Sequence, residues 1–338
     1  MEVGSIPMMQ TRRHLLAGLA AAGAAGFTHA RRTLAAEPPL ETTTLRLAKT
    51  PDICGAPQYL AEQLLRAEGF ADILYIDVPN PTADWIGRGE VDFSFGFASA
   101  LLMAIDSGAP IVILAGLHVG CVEVFGNKGI HSIADLKGKR VAVKYIGYTP
   151  HVLLSIMAAQ IGLDPVNDIH WITGSDVDPM QLFLDGTVDA FVGSPPLSLD
   201  LRERHIGDII LRSAVDDPWA QYFCCMLGGN LQYVRNHPVA TKRVLRAILK
   251  ATDLCATDPM NAARRLVEGK FTPREDFAVQ TLSENPYDKW REYDPEDTIR
   301  FYALRLREIG FIKLSPQKII AESTDWRFLD EVKRELKA

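Results

Sequence analysis

The sequence predicts an α/β fold built as two successive βα series joined by two crossings, and three observations carry that prediction. Short apolar runs alternate with segments whose apolar residues recur at helical spacing. The alternation restarts near residue 132, after a continuous apolar run from Ile111 to Leu117. From Pro238 onward the chain reads as mainly helical, with proline at several helix starts.

In chain order, Thr44 to Ala48 alternates and predicts a strand. Ala56 to Glu68 predicts a helix, with Tyr59, Leu60, Gln63, Leu64 and Ala67 on one face and Gly69 at its end. Asp72 to Val78 predicts a strand, Thr82 to Arg88 a short helix, Val91 to Phe95 a strand and Ala98 to Ser107 a helix. Ile111 to Leu117 reads as a strand buried on both faces. The second series opens with a capped turn, Ser132 to Leu136, followed by Lys137-Gly138-Lys139 and a strand from Arg140 to Val143. A helix from His151 to Ile161, a strand from Ile169 to Ile172, a short helix from Asp178 to Asp185 and a strand from Asp189 to Val192 complete it. Pro218 to Leu231 reads as the return crossing. Helices are then expected over Val239 to Thr257, Pro259 to Val267, Glu296 to Ile309 and Pro316 to Ala321.

Ahead of this body, Thr11-Arg12-Arg13-His14 opens an apolar stretch from Leu15 to Phe27, and a small, polar segment from Thr28 to Pro39 follows. That order is an export signal of the twin-arginine kind. An apolar run of about thirteen residues falls short of the roughly 20 that span a bilayer. Cleavage near Ala36 would leave roughly 300 residues, enough for two modest cores. The expected organisation is a signal over 1–36, a discontinuous first domain over 40–122 and 228–338, and a second domain over 123–227. The formal net charge of -6 leaves no electrostatic footprint for nucleic acid or anionic membrane. The mature chain is expected to be a soluble, monomeric, periplasmic protein.

The five cysteines, Cys54, Cys121, Cys224, Cys225 and Cys255, are odd in number and two are adjacent, which argues against a disulfide framework. No Cys-x-x-Cys or His-rich spacing suggests zinc, so neither metal nor cofactor is expected. No G-x-S-x-G, Walker A or G-x-G-x-x-G segment stands after the signal, and no catalytic residue is expected.

Several local marks stand in order: Ala56-Pro57-Gln58-Tyr59-Leu60-Ala61, Gly89-Glu90-Val91-Asp92-Phe93, Asp135-Leu136-Lys137-Gly138-Lys139-Arg140-Val141, Gly186-Thr187-Val188-Asp189-Ala190-Phe191, Asn236-His237-Pro238 and Asp258-Pro259. With them the chain resembles the periplasmic solute-binding proteins of ABC importers for nitrate, taurine and aliphatic sulfonates, a family that also includes binders of thiamine-pyrimidine precursors. The resemblance covers residues 44 to 330. It implies a two-lobed periplasmic-binding-protein fold, type II-like, that closes on a small organic molecule (a sulfonate, carboxylate or nitrogen heterocycle) and delivers it to the membrane subunits of a permease. Alternatives are a thiamine-precursor enzyme on the same fold and a ligand sensor. The marks themselves are scaffold: Gly89 and Gly186 suit the left-handed position that ends short helices.

In open α/β sheets the binding crevice lies beyond the carboxyl ends of the strands, so two hinged lobes place the ligand between them. The expected ligand-binding residues are Cys54, Gln58, Phe97, Ser99 and His118 from the first lobe and Glu123 from the crossing. Gly147, Tyr148, Thr149 and Ser194 come from the second lobe, and Trp219 and Tyr222 flank the return crossing. In the loop Tyr145 to Pro150, Pro150 suits the first helical position and Thr149 the N-cap. Its free N–H groups would hold a carboxylate, sulfonate or phosphate, unless it is an ordinary capped helix start. Glu123 alternates with Val122 and Val124; it is either a solvated hinge charge or a cleft carboxylate favouring an amine. His118 is a structural hydrogen-bonder or a ligand contact. The aromatic residues either stack a flat ring or fill the core. Phe223-Cys224-Cys225-Met226-Leu227 partly resembles the cysteine-rich segment of the eukaryotic thiamine-pyrimidine synthases, which use a run of cysteines and iron. Only two of those cysteines stand here, and buried small residues are the alternative.

Overall fold

The computed structural model describes Met1 and residues 37–50, 52–78 and 83–337. The chain divides into two units, Met1–Pro39 and Leu40–Ala338. The twin-arginine segment lies outside the described residues, and both sheets belong to the second unit. No described helix is long and apolar enough to cross a membrane.

The alternation builds two five-stranded sheets among the described residues. The first holds β1 (Thr44–Lys49), β2 (Asp72–Asp77), β3 (Phe93–Phe97), β4 (Ile111–Val119) and β10 (Phe223–Asn230), in the order β2-β1-β3-β10-β4. The second holds β5 (Glu123–Gly126), β6 (Lys139–Val143), β7 (Ile169–Thr173), β8 (Ala190–Gly193) and β9 (Asp208–Arg212), in the order β7-β6-β8-β5-β9. The two orders are the same topology. In each, the first strand of the series pairs in parallel with the next two, and a strand arriving by a crossing enters antiparallel beside the third.

The repeated Gly-x-Val-Asp mark has one physical job in both sheets. Asp92 accepts the Arg46 backbone N–H at 2.7 Å and the Arg46 guanidinium at 2.5 Å. Asp189 does the same for Arg140, at 2.8 Å to the backbone and 3.1 Å to the guanidinium. Each carboxylate therefore clamps the parallel pairing of a third strand with the first, where register is set by few ladder bonds. Gly89 and Gly186 stand just past short helices at φ +70 and +69, the left-handed conformation that glycine adopts without strain.

β4 is buried at every position, as its unbroken apolar sequence requires, and it runs two residues beyond Leu117. Three readings need correction. The segment Ala56 to Glu68 is two helices, Ala56–Leu60 and Glu62–Ala67, preceded by a 3₁₀ turn over Ile53–Gly55. The return crossing ends at Tyr222, because Phe223–Asn230 is a full strand inserted between β3 and β4. Thr149 is the first helical residue of Thr149–Gln160, and Tyr148 occupies the cap without a side-chain bond. The helices Leu197–Glu203, Glu275–Glu284 and Arg327–Glu335 and the strand β9 lie outside the expected elements; β9 is half exposed at the sheet edge.

The two crossings touch. Val122 donates its N–H to the Ser213 hydroxyl at 3.0 Å, and Ser213 returns its N–H to the Val122 carbonyl at 2.9 Å. One continuous core runs under the first sheet and the C-terminal helices, and a smaller cluster around Phe125, Phe183, Phe191 and Leu201 fills the far side of the second sheet.

Candidate functional site

The carboxyl ends of β1, β3, β6, β7 and β8 converge on a cavity of about 810 Å³. Asp52 and Phe97 reach it from the first sheet, Val122 from the crossing, and Tyr148, Thr149 and Ser194 from the second. The segment from Ser175 to Gln181, a loop running into the first turn of the helix Pro179–Leu184, adds a further wall, with the exposed Lys144 and Arg204 also lining the cavity. A cavity of this size suits a small organic molecule.

Asp52 is the chemically distinctive wall residue. Burial pushes its carboxyl up to about 7, with the neighbouring Cys54 adding to the rise. Tyr148 is raised by burial and by the charge of Asp52, which places the phenol and the carboxyl in one electrostatic neighbourhood. An acid that titrates near neutrality can accept from an amine or donate to a ring nitrogen, according to its protonation state.

The loop from Tyr145 to Thr149 is fixed from within its own helix. Gly147, at φ +85, donates its N–H to Nδ1 of His151 at 3.1 Å. That bond needs an unprotonated Nδ1, and burial holds His151 down at about 4, so the ring stays neutral. With no side chain capping Thr149–Gln160, its first-turn N–H groups have no side-chain acceptor beside the cavity.

Of the expected contacts, Phe97, Tyr148, Thr149 and Ser194 line this cavity. Ser99 and Gly147 line a neighbouring pocket of about 180 Å³ that shares Tyr148 and Thr149 with it. Gln58 does not reach the cavity; its amide donates to the Ala48 carbonyl at 2.5 Å and accepts the Phe95 N–H at 3.2 Å, tying β1 to β3. Trp219 packs edge-on to Phe301, and Tyr222 stacks on Phe301 at 4.0 Å, so both serve the core. Glu123 is neither solvated nor open to a ligand. It is buried between Arg212 at 3.1 Å and Arg202 at 3.4 Å, and both arginines also hold Glu284, at 2.9 and 2.6 Å. Burial raises its pKa against the pull of the two guanidinium groups. Cys54 and His118 lie behind the cavity wall, fully buried, where Cys121 and Cys225 join them.

The segment Ser175 to Gln181 and Lys144 were missed by sequence reasoning, although both follow strands at their carboxyl ends and the same rule would have found them. Arg204 sits after a helix and carries no such signal.

A family model described as NMT1/THI5 like matches residues 72–262. The chain belongs to the NMT1/THI5-like family. Among curated relatives, the 4-amino-5-hydroxymethyl-2-methylpyrimidine phosphate synthase of Candida albicans is 24% identical over 239 residues, 64% of this chain and 69% of that one. Solved structures share the periplasmic-binding-protein fold. The periplasmic nitrate-binding protein NrtA from Synechocystis PCC 6803 superposes with a TM-score of 0.73 at 15% identity, covering 88% of this chain and 90% of that one. The alkanesulfonate-binding protein SsuA from Xanthomonas axonopodis pv. citri, bound to MOPS, gives 0.69 at 17% identity over 85% of this chain and all of that one. This member of the NMT1/THI5-like family thus matches relatives named as synthases in sequence and binding proteins in fold.

Proposed function

We propose that this member of the NMT1/THI5-like family is the solute-binding component of an ABC importer, working in the periplasm and closing its lobes on a flat, nitrogen-bearing organic molecule. The observation that carries the reading is the placement of the Asp52 carboxyl on the wall of the same cavity as Phe97 and Tyr148. Two aromatic faces would sandwich a ring, and the carboxyl would pair with its amine or ring nitrogen. A ligand touching both lobes favours the closed arrangement by its differential affinity, and the paired crossings at Val122 and Ser213 are where the lobes would turn.

Thermal denaturation against aminopyrimidines, amines, carboxylates and sulfonates tests this. Stabilisation by a nitrogen heterocycle that Asp52→Asn abolishes is the expected result. Stabilisation by none of the four classes would sink the reading.

A second reading, a pyrimidine-forming enzyme, draws support from the name of the Candida relative and from the adjacent Cys224 and Cys225. Incubation with a stabilising ligand followed by mass spectrometry separates the two. A binder returns the ligand unchanged, whereas an enzyme yields product and loses it when both cysteines become serine.

A further inference from the structure

We propose that Cys54, His118, Cys121 and Cys225 form a tetrahedral binding site for one zinc ion, set behind the cavity wall at the crossings. Their ligand atoms all lie within 4.8 Å of one another, and none of the four residues is more than 5% exposed. Zn–S bonds of about 2.3 Å in a tetrahedron put donors roughly 3.7 Å apart, so the side chains need only draw slightly inward. Three thiolates and an imidazole are a donor set that zinc takes in closed, four-coordinate sites.

Three segments that are remote in sequence converge here, one of them bringing both His118 and Cys121. Cys54 comes from the turn after β1, His118 from the end of β4, Cys121 from the first crossing and Cys225 from β10. The register sets His118 directly opposite Cys225, and the bulge beside it makes Cys224 the extra residue. Only Cys225 belongs to the segment Phe223 to Leu227; the other three lie outside it.

The imidazole gives an independent sign. Its Nδ1 is bonded to the Val119 carbonyl at 3.2 Å, while Nε2 is buried with no hydrogen-bond partner. An Nδ1–H fixed on a carbonyl leaves Nε2 as the bare nitrogen, the arrangement by which proteins orient a metal-bound histidine. Tyr287 supports the shell: its ring lies 5.0 Å from that of His118, and its hydroxyl donates to the Cys54 carbonyl at 3.0 Å. Cys121 holds its thiol in place from a left-handed backbone, φ 84, which a side chain rarely adopts unless the surroundings impose it. Ordinary buried cysteines pack as small apolar residues and call for neither feature.

The proton balance is simple. Zinc displaces the three thiol protons, and the site with a neutral imidazole carries a net charge of -1. Cys224, with its Sγ 3.2 Å from that of Cys121, can then donate its S–H to the Cys121 thiolate. The ion would pin β4, β10 and both neighbours of the cavity wall together, since Asp52 lies two residues before Cys54 and Val122 directly follows Cys121.

The test uses the full chain, purified under reducing conditions. Elemental analysis should find one zinc per chain. After chelation, titration with Co(II) should give a thiolate-to-cobalt charge-transfer band that saturates at one equivalent and disappears on adding Zn(II). His118→Gln and Cys54→Ser should each weaken cobalt binding at least tenfold, while Cys255→Ser, a buried cysteine on the helix Pro238–Thr257, should leave it unchanged. Should either site variant fail to fold, the wild-type protein decides alone: zinc must raise the melting temperature of the stripped chain. Absence of the band, copper or iron in place of zinc, or binding that survives in folded His118→Gln would overturn the proposal. Because the readouts are metal content and spectrum, failure here leaves the organic-ligand reading standing, and the converse also holds.

Discussion

Val122 and Ser213 hold the two crossings together through a reciprocal pair of hydrogen bonds, one to the Ser213 hydroxyl and one to the Val122 carbonyl. Both residues are buried. Replacing Ser213 with Ala removes one acceptor and strands the Val122 N–H, which should cost about 1–3 kcal/mol. Equilibrium unfolding in urea measures the loss. If Ser213→Ala is as stable as the native protein, the crossings are held by something else.

Asp52 gives a pH signature. Its folded pKa, about 7, lies above the ordinary carboxylate value, so the folded chain binds the proton more tightly than the unfolded chain. The stability this contributes is present below about pH 4 and is lost as pH rises toward 7. Asp52→Asn should therefore gain on the native protein steadily as pH is raised from 4 to 8. A stability difference that does not vary with pH would remove the argument for a carboxyl whose pKa is raised in the folded chain.

His151 works in the opposite direction. Its folded pKa, about 4, lies below that of an unfolded histidine near 6.5, so its contribution is intact above the unfolded value and is lost as pH falls toward 4. Amide hydrogen exchange at Gly147 reports this bond directly, because Gly147 donates to His151. Protection at that amide should weaken as the solution is acidified through this window, and His151→Phe should abolish it at every pH.

Glu284 ties the helix Glu275–Glu284 to Arg202 and Arg212, residues of the helix Leu197–Glu203 and of β9. Removing its charge leaves Glu123 as the remaining acidic partner of those two arginines within this cluster. Glu284→Gln should destabilise the chain by about 1–2 kcal/mol in dilute buffer, the scale of charge-assisted hydrogen bonds that are only partly buried. Half-molar salt should shrink the difference. Equal stability of the two proteins at low salt would mark the cluster as inert.

The paired aspartates offer a comparison within one molecule. Asp92 is buried and bonds both the backbone and the side chain of Arg46, whereas Asp189 makes the same bonds to Arg140 in a more exposed setting. Asp92→Ala should cost about 2–3 kcal/mol, and Asp189→Ala distinctly less. The reverse order of the two losses in denaturant titrations would show that burial does not govern the strength of this motif.

The sequence by itself determined the α/β class, the repeated series and the positions of most strands along the chain, because apolar periodicity and helix-ending glycines are local signals. Gly186 and the apolar run of β4 needed no partner to be legible. It also pointed to Tyr148, Thr149 and Ser194, since the carboxyl ends of strands follow from the strands themselves. Only the tertiary structure decided the fate of Glu123, which local alternation turned away from the core but which two arginines from later in the chain took into a buried network. The same is true of Cys54, His118, Cys121 and Cys225. Only His118 and Cys121 are close in sequence, an incomplete metal signature, and Cys54 and Cys225 join them because β10 returns between β3 and β4 and sets Cys225 opposite His118. Periodicity reports which face of an element is apolar; which distant side chains share that face is fixed by strand order, and strand order is a property of the folded chain.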